Sequence, residues 1–158
     1  MSKEAISTAI LLIATVTAVS AAVAVIVPTI HSISETYTSL ASNLNERIKT
    51  DISIIFTGVR SISTDTVEVV FWVKNIGSTN IPFELVNKSD IFIYSKNYYV
   101  HIPVKNTTYV VENGDEDEYW EVGETLKFSI EISDLPNDEY VLTFVLYNGI
   151  KDSDVFSW

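Results

Sequence analysis

Near its start the chain has an uncharged apolar run, and few structures can accommodate such a run. Between Ala5 and Ser34 there is no formally charged side chain, and most positions are Ala, Val, Ile, Leu or Thr. A bilayer core about 30 Å thick is crossed by roughly 20 apolar residues in a helix. The apolar part of a cleaved secretory signal is shorter, about 7–15 residues. The run therefore predicts a retained membrane-spanning helix, with the rest of the chain on one side of the membrane.

The charges that flank the run predict its orientation. Lys3 lies on the short side, and the first basic residues beyond the run are Arg47 and Lys49. Because basic residues close to a span favour the cytoplasmic side, we expect a single pass with the N-terminus inside. Two tripeptides that begin at Asn87 and Asn106 have the N-glycosylation pattern, which only an exported surface can use. They agree with an extracytoplasmic C-terminal domain.

The helical period continues beyond the apolar run. Apolar side chains recur at alternating spacings of four and three residues, which is typical of a helix packed lengthwise on another element. This seam consists of Ile26, Ile30, Ile33, Tyr37, Leu40 and Leu44. The pattern supports equally a stalk that rests on its own domain and one that packs on a second copy. We assign residues 1–50 to the spanning helix and its amphipathic stalk, with a kink expected at Pro28.

From about residue 50 the hydrophobic period changes from helical to alternating. Apolar and polar side chains alternate in residues 67–74 and 126–132, as in half-buried strands. Turn-forming residues separate further apolar runs, one of which is 81–86. About seven to nine short strands, with no helical pattern between them, predict an immunoglobulin-like antiparallel β-sandwich over residues 51–158. The expected fold class is mainly β, with the N-terminal helix preceding the sandwich.

Two of the predicted strands are apolar on both faces. Residues 91–94 and 141–147 lack the polar alternation of a strand that has one face in water. Either the stalk or a loop of the same chain covers the second face, or another subunit does. The second alternative predicts a subunit interface, for which the candidate residues are Val86, Ile91, Ile93 and Val145.

The composition argues against several classes of function. A net charge of −11 disfavours nucleic-acid binding, and the absence of cysteine excludes disulfides and thiol chemistry. His31 and His101 lie far apart, and no nucleophile, phosphate-loop or zinc motif accompanies them. The acidic run at 115–118 lacks the spacing of a calcium loop, so a solvated hairpin tip is expected there. We predict a non-enzymatic protein without catalytic residues, cofactor or metal site.

Aromatic residues are frequent in the middle of the predicted sandwich. Such residues form stacking platforms for carbohydrate, occur in protein interfaces, and also simply favour pleated strands. The group consists of Tyr94, Tyr98, Tyr99, Tyr109, Tyr119 and Trp120.

The layout and several segments resemble the accessory proteins of the archaeal flagellum, or archaellum. The likeness is to the G type or its F-type relative, and more loosely to type IV pilin-like subunits. It rests on the apolar run, on residues 44–55 between stalk and first strand, on FWVKNIGS at 71–78 and on VGETL at 122–126. The start MSKEA lacks the small residue after a basic one that prepilin processing sites have.

This resemblance implies a stator in the pseudoperiplasm that ties the archaellum motor to the S-layer. The implied partners are the F- or G-type counterpart and the S-layer protein. The helix seam and the doubly apolar strands favour, in addition, a homo-oligomer or filament of this chain. Two alternatives remain open at this point: a structural filament subunit of the pilin or archaellin type, and a carbohydrate-binding surface module.

Overall fold

The chain divides into two compact units. The computed structural model describes residues 3–114 and 117–158, and the division falls between Asn45 and Glu46. The sequence predicts a boundary at 50/51, whereas the structure groups the last turn of the helix with the β-domain. Met1, Ser2, Asp115 and Glu116 lie outside the described residues, so the predictions for the unprocessed start and for the acidic hairpin tip fall partly on undescribed positions.

Helix α1 spans Lys3–Lys49 and continues through Pro28. It is long and apolar enough to cross a membrane, and none of its described residues is buried. Several of its hydroxyl side chains donate to carbonyl oxygens one turn earlier. Thr17 donates to the Ile13 carbonyl at 2.7 Å, for example, and Ser20 donates to that of Val16 at 2.8 Å. Because each such hydroxyl has a partner within the helix, the helix can carry it in an apolar environment.

The second unit is built almost entirely of short antiparallel strands. The elements of its described part are β1 (Ile52–Ser61), β2 (Thr66–Asn75), β3 (Ile81–Pro82), α2 (Phe83–Val86), β4 (Asp90–Tyr94), β5 (Tyr99–Pro103), a 3-10 turn (Val104–Asn106), β6 (Thr108–Val111), β7 (Tyr119–Trp120), β8 (Thr125–Ser133), β9 (Glu139–Val145) and β10 (Lys151–Ser157).

These strands form two four-stranded sheets and one small ladder. We call the sheet with order β1-β2-β8-β6 the front sheet and the sheet with order β10-β9-β4-β5 the back sheet, and β3 pairs with β7. The predicted fold class, an N-terminal helix followed by an antiparallel β-sandwich, is confirmed. The run 81–86 differs from its expected strand. Pro82, which lacks an N–H for a ladder, precedes the helical turn α2 instead.

The core lies between the two sheets and is centred on three fully buried phenylalanines. The rings of Phe71 and Phe128 stack in the front sheet with centroids 4.9 Å apart. Phe144 of the back sheet lies 5.2 Å from Phe128 and 6.2 Å from Phe71. The alternating positions of 67–73 and 126–132 that the pattern predicts to face the core are buried; Val70 and Trp72 lie on the opposite face of β2.

The segments NIGS and VGETL meet where the chain leaves the helix. The fully buried Asn75 donates from its amide to the carbonyls of Thr79 (3.0 Å) and Trp120 (3.1 Å). The backbone N–H of Gly77 donates to the Asp51 carbonyl at 2.9 Å, and the Asn75 N–H donates to the Glu124 carbonyl at 3.0 Å. Both segments thus have structural roles in positioning β1 and the β3–β7 ladder.

Candidate protein-binding surfaces

The interface predicted on β4 and α2 is corrected by the structure. Val86, Ile91 and Ile93 have no exposed area and belong to the core of their own domain. The second apolar face of β4 consists of Phe92 and Tyr94, which point away from the core. Val145 is half-buried, so it is the residue of the predicted set that is accessible to a partner.

A β-bulge in β1 brings an aromatic side chain onto the outer face of the front sheet. Ile54 pairs with Val73, but the next pair is Phe56 with Trp72, so Ile55 is the extra residue. A bulge shifts every later side chain to the opposite face. Phe56 therefore points outward, and it is 57% exposed.

Phe56 and Trp72 form the centre of this outer face. Their ring centroids are 5.6 Å apart and the rings are tilted by 45°. Val70 on β2 and Val110 on β6, which is 59% exposed, extend the apolar surface along the sheet. Gly58 adds no side chain, and a Cβ there would lie 3.0 Å from the Phe56 ring.

Charged pairs border the aromatic centre at both ends. Lys127 lies 5.4 Å from the centroid of the Trp72 ring and 3.5 Å from the Glu112 carboxylate. At the other end, Arg60 and the Ser129 hydroxyl both donate to the nearly buried Glu68 carboxylate. The hydrogen bond from Ser129, followed by that from Arg60, lowers the pKa of Glu68 below its usual value.

These residues line a groove of about 690 Å³, which we call the front groove. Trp and Phe side chains at a surface, surrounded by a rim of charged pairs, are typical of the centre of a protein interface. Sequence reasoning missed this surface. The signal was that Val70 and Trp72 are apolar at the solvent-facing positions of an alternating strand; the bulge that adds Phe56 has no such signal.

The six aromatic residues noted in the sequence are dispersed in the fold. Trp120 is fully buried and donates from its indole N–H to the Glu124 carbonyl at 3.0 Å. Tyr98 packs edge-on against Tyr140, and Tyr109 packs against Phe128. The exposed members lie in two places: Tyr94 and Tyr99 are cross-strand partners on the back sheet, and Tyr119 lies on β7.

The helix seam is open along its whole length. Within α1, its members are between 54% (Ile26) and 75% (Tyr37) exposed. The seam therefore presents a continuous apolar stripe that a second helix can pack against.

The remaining candidate positions are simple to place. Asn87 and Asn106 are both exposed, at the ends of α2 and of the 3-10 turn. Within residues 3–114 and 117–158, no three His, Asp or Glu side chains come together in a way that could hold a metal ion.

Comparison with known proteins places the chain among archaellar components. A family model of archaeal-type flagellins matches residues 2–156. An uncharacterized protein of Archaeoglobus fulgidus is 53% identical over 163 residues and covers all of both chains.

Two solved structures from Sulfolobus acidocaldarius are similar to this chain. The archaellum periplasmic stator protein FlaG is 20% identical, with a TM-score of 0.50 over 68% of this chain and 99% of that one. The complex of FlaF and FlaG gives 21% identity and a TM-score of 0.49 over 68% of this chain and 89% of that chain. The first likeness gives the fold of the β-domain, and the family model confirms the resemblance to archaellum proteins: the chain belongs to the archaeal-type flagellin family.

Proposed function

We propose that this protein is a non-enzymatic, membrane-anchored accessory protein of the archaellum that links the motor to the cell envelope as a stator. It acts through protein–protein contacts made by a β-domain in the pseudoperiplasm. Membership of the archaeal-type flagellin family and the FlaG-like sandwich support this role. The observation that carries the proposal is the front groove, where the exposed Phe56 and the half-buried Trp72 lie on a domain whose core is complete without them.

The proposed anchor is helix α1. Its apolar composition and the internal hydrogen bonds of its hydroxyl groups suit a bilayer. Lys3 before the run and the first basic residues far beyond it favour a cytoplasmic N-terminus and an outward-facing domain.

The proposed partners are a second archaellum accessory protein of the F or G type and the S-layer protein. Aromatic residues at the centre of an interface commonly contribute 2 kcal/mol or more, so roughly a thirtyfold change in affinity follows their truncation. We assign this role to Trp72, because it contacts Phe56, Glu112 and Lys127 at once.

The test is affinity isolation of the full-length protein from detergent-solubilised archaeal membranes. We expect wild type to retain archaellum or S-layer proteins. Trp72→Ala should retain at least about tenfold less of these proteins than wild type. Val155→Ala is the matched control, because Val155 is 56% exposed on the last strand, β10, of the back sheet. Thermal unfolding of each variant verifies that the fold is kept. Wild-type protein that retains no archaellum or envelope protein would contradict the proposal.

A second candidate function is a filament subunit, which the match to the flagellin family model favours. The open seam on α1 is the surface through which such subunits would pack. The same preparation separates the two functions by intact mass. A filament subunit loses its N-terminal residues to a peptidase, whereas the accessory protein keeps Ser2 or Met1.

A further inference from the structure

The two glycosylation tripeptides differ in their access to an enzyme. The first, Asn87-Lys88-Ser89, is held in the turn that ends α2. The Asn87 N–H donates to the Phe83 carbonyl and the Ser89 N–H to that of Val86, both at 2.9 Å. The Tyr109 hydroxyl donates to the Asn87 side-chain oxygen at 2.9 Å, and Ser89 is only 1% exposed. The Asn87 side chain is therefore held through its amide oxygen, and the third residue's hydroxyl, which a transferase has to reach, is buried.

The second tripeptide, Asn106-Thr107-Thr108, is presented outward. Asn106 is exposed at the end of the 3-10 turn, and no hydrogen bond holds its side-chain amide among the described residues. Thr107 has extended backbone (φ −112°, ψ 163°), and its hydroxyl donates to the Val104 carbonyl at 2.8 Å. Thr108 is exposed at the first position of β6, the edge strand of the front sheet. The amide and the third-position hydroxyl are therefore both accessible.

We propose that Asn106 is the acceptor of an N-linked oligosaccharide and that Asn87 is not. The inference rests on the extracytoplasmic position of the β-domain in the proposed function. The amide nitrogen of Asn106 forms a bond to the anomeric carbon of an oligosaccharide carried on a lipid-linked phosphate. The bond between that carbon and the phosphate oxygen breaks, its electron pair leaves with the lipid phosphate, and the amide gives one proton to a base of the transferase.

The glycan would lie beside an incomplete strand edge. In the described sheet, β6 pairs with β8 from Thr108 opposite Ser129 to Val111 opposite Leu126, whereas β8 continues to Ser133. Its last residues border a cleft of about 580 Å³ that Asn106 and Thr108 also line. Because an open edge invites pairing with another chain, a sugar at Asn106 protects it.

The test uses full-length protein produced in an archaeal host with an N-glycosylation pathway and purified from membranes. Intact mass and glycopeptide mapping are expected to show one glycan in wild type, Asn87→Gln and Thr107→Ala. Asn106→Gln and Thr108→Ala are expected to carry no glycan and so to have the mass of the bare polypeptide. Thr108→Ser is expected to retain the glycan. Equal thermal unfolding of the variants excludes misfolding. A glycan on Asn87, or bare Asn106 in exported protein, overturns the inference.

Protease added to whole cells tells the two possible failures apart. If the β-domain is cleaved but Asn106 is bare, the glycosylation inference fails and the proposed location stands. If the domain is protected, the proposed location fails and the inference fails with it.

Discussion

At the scale of single residues, Glu68 is the acidic group most dependent on its surroundings. It is nearly buried on the outer face of the front sheet, where Ser129 and Arg60 donate to its carboxylate. The Ser129 hydrogen bond, then the Arg60 bond, holds the pKa of Glu68 below its ordinary value of 4.5. Since the folded-state pKa is the lower one, the ionised group stabilises the fold above its unfolded pKa. That contribution is lost as the pH falls through the folded pKa.

We therefore predict that Glu68→Gln lowers the melting temperature at neutral pH and that the difference from wild type shrinks in acid. The amide keeps the shape of the carboxylate but loses two charge-assisted bonds. Differential scanning calorimetry between about pH 7 and pH 3 measures the effect. Glu131→Gln is the control, since Glu131 is the exposed cross-strand partner of Glu68 and has no such donors. A pH-independent difference at Glu68 would contradict the assignment.

At the scale of elements, the chain's exit from the helix depends on a close backbone contact. A Cβ at Gly77 would lie 2.6 Å from both the Asp51 nitrogen and the Lys49 oxygen. The Ser78 N–H donates to the same Lys49 carbonyl at 2.8 Å. The Tyr147 hydroxyl also donates to the Glu46 carboxylate, and burial followed by that bond raises the pKa of Tyr147. The loop 76–78 and the last helical turn thus form one packed unit.

We predict that Gly77→Ala destabilises the β-domain by about 1–3 kcal/mol, because backbone atoms must move to admit the methyl group. Chemical denaturation of the full-length protein in detergent measures the change. Gly58→Ala should cost less, since the group it approaches is the end of the Phe56 side chain, which can rotate. An equal decrease in the free energy of unfolding in the two variants would show that the close backbone contact at Gly77 is not what makes this position sensitive.

The elements also show which parts of the fold can be predicted from the sequence. The strands over 67–74 and 126–132 follow from their alternating pattern, which Val70 and Trp72 interrupt, and the sandwich follows from the number and spacing of strands. The strand that contains Ile91 and Ile93 is apolar on both faces, so its sequence does not show which face is buried. That depends on the strands with which it pairs. The exposed position of Phe56 depends on one extra residue at Ile55, which a hydrophobic pattern does not reveal.

At the scale of the whole molecule, negative charge dominates. The net charge is −11, from 21 acidic and 10 basic side chains, and the sequence pI is near 4.4. Like-charged copies repel one another at neutral pH, and the repulsion weakens as carboxylates are protonated. The seam on α1 and the front groove are the apolar surfaces through which copies of the chain would associate against this repulsion.

We predict that self-association of the full-length protein in detergent increases as the pH is lowered from about 7 towards the pI. Analytical ultracentrifugation should show a larger sedimentation coefficient at about pH 5 than at pH 7. High salt at neutral pH should reproduce part of the change, because a Debye length of about 3 Å at 1 M screens the same repulsion. Identical sedimentation under all three conditions would rule out charge as the control of assembly.

In the membrane position proposed for α1, its hydroxyl groups would affect what a neighbouring helix can recognise. Polar side chains often join transmembrane helices by bonding across the gap between them. Thr17, Ser20 and Thr29 already donate to carbonyls of their own helix. These three hydroxyls are therefore already used as donors, and contacts of this part of the helix with another helix would depend mainly on the shape of its apolar surface. Such a helix tolerates a change of neighbour, or rotation beside one, without breaking a hydrogen bond.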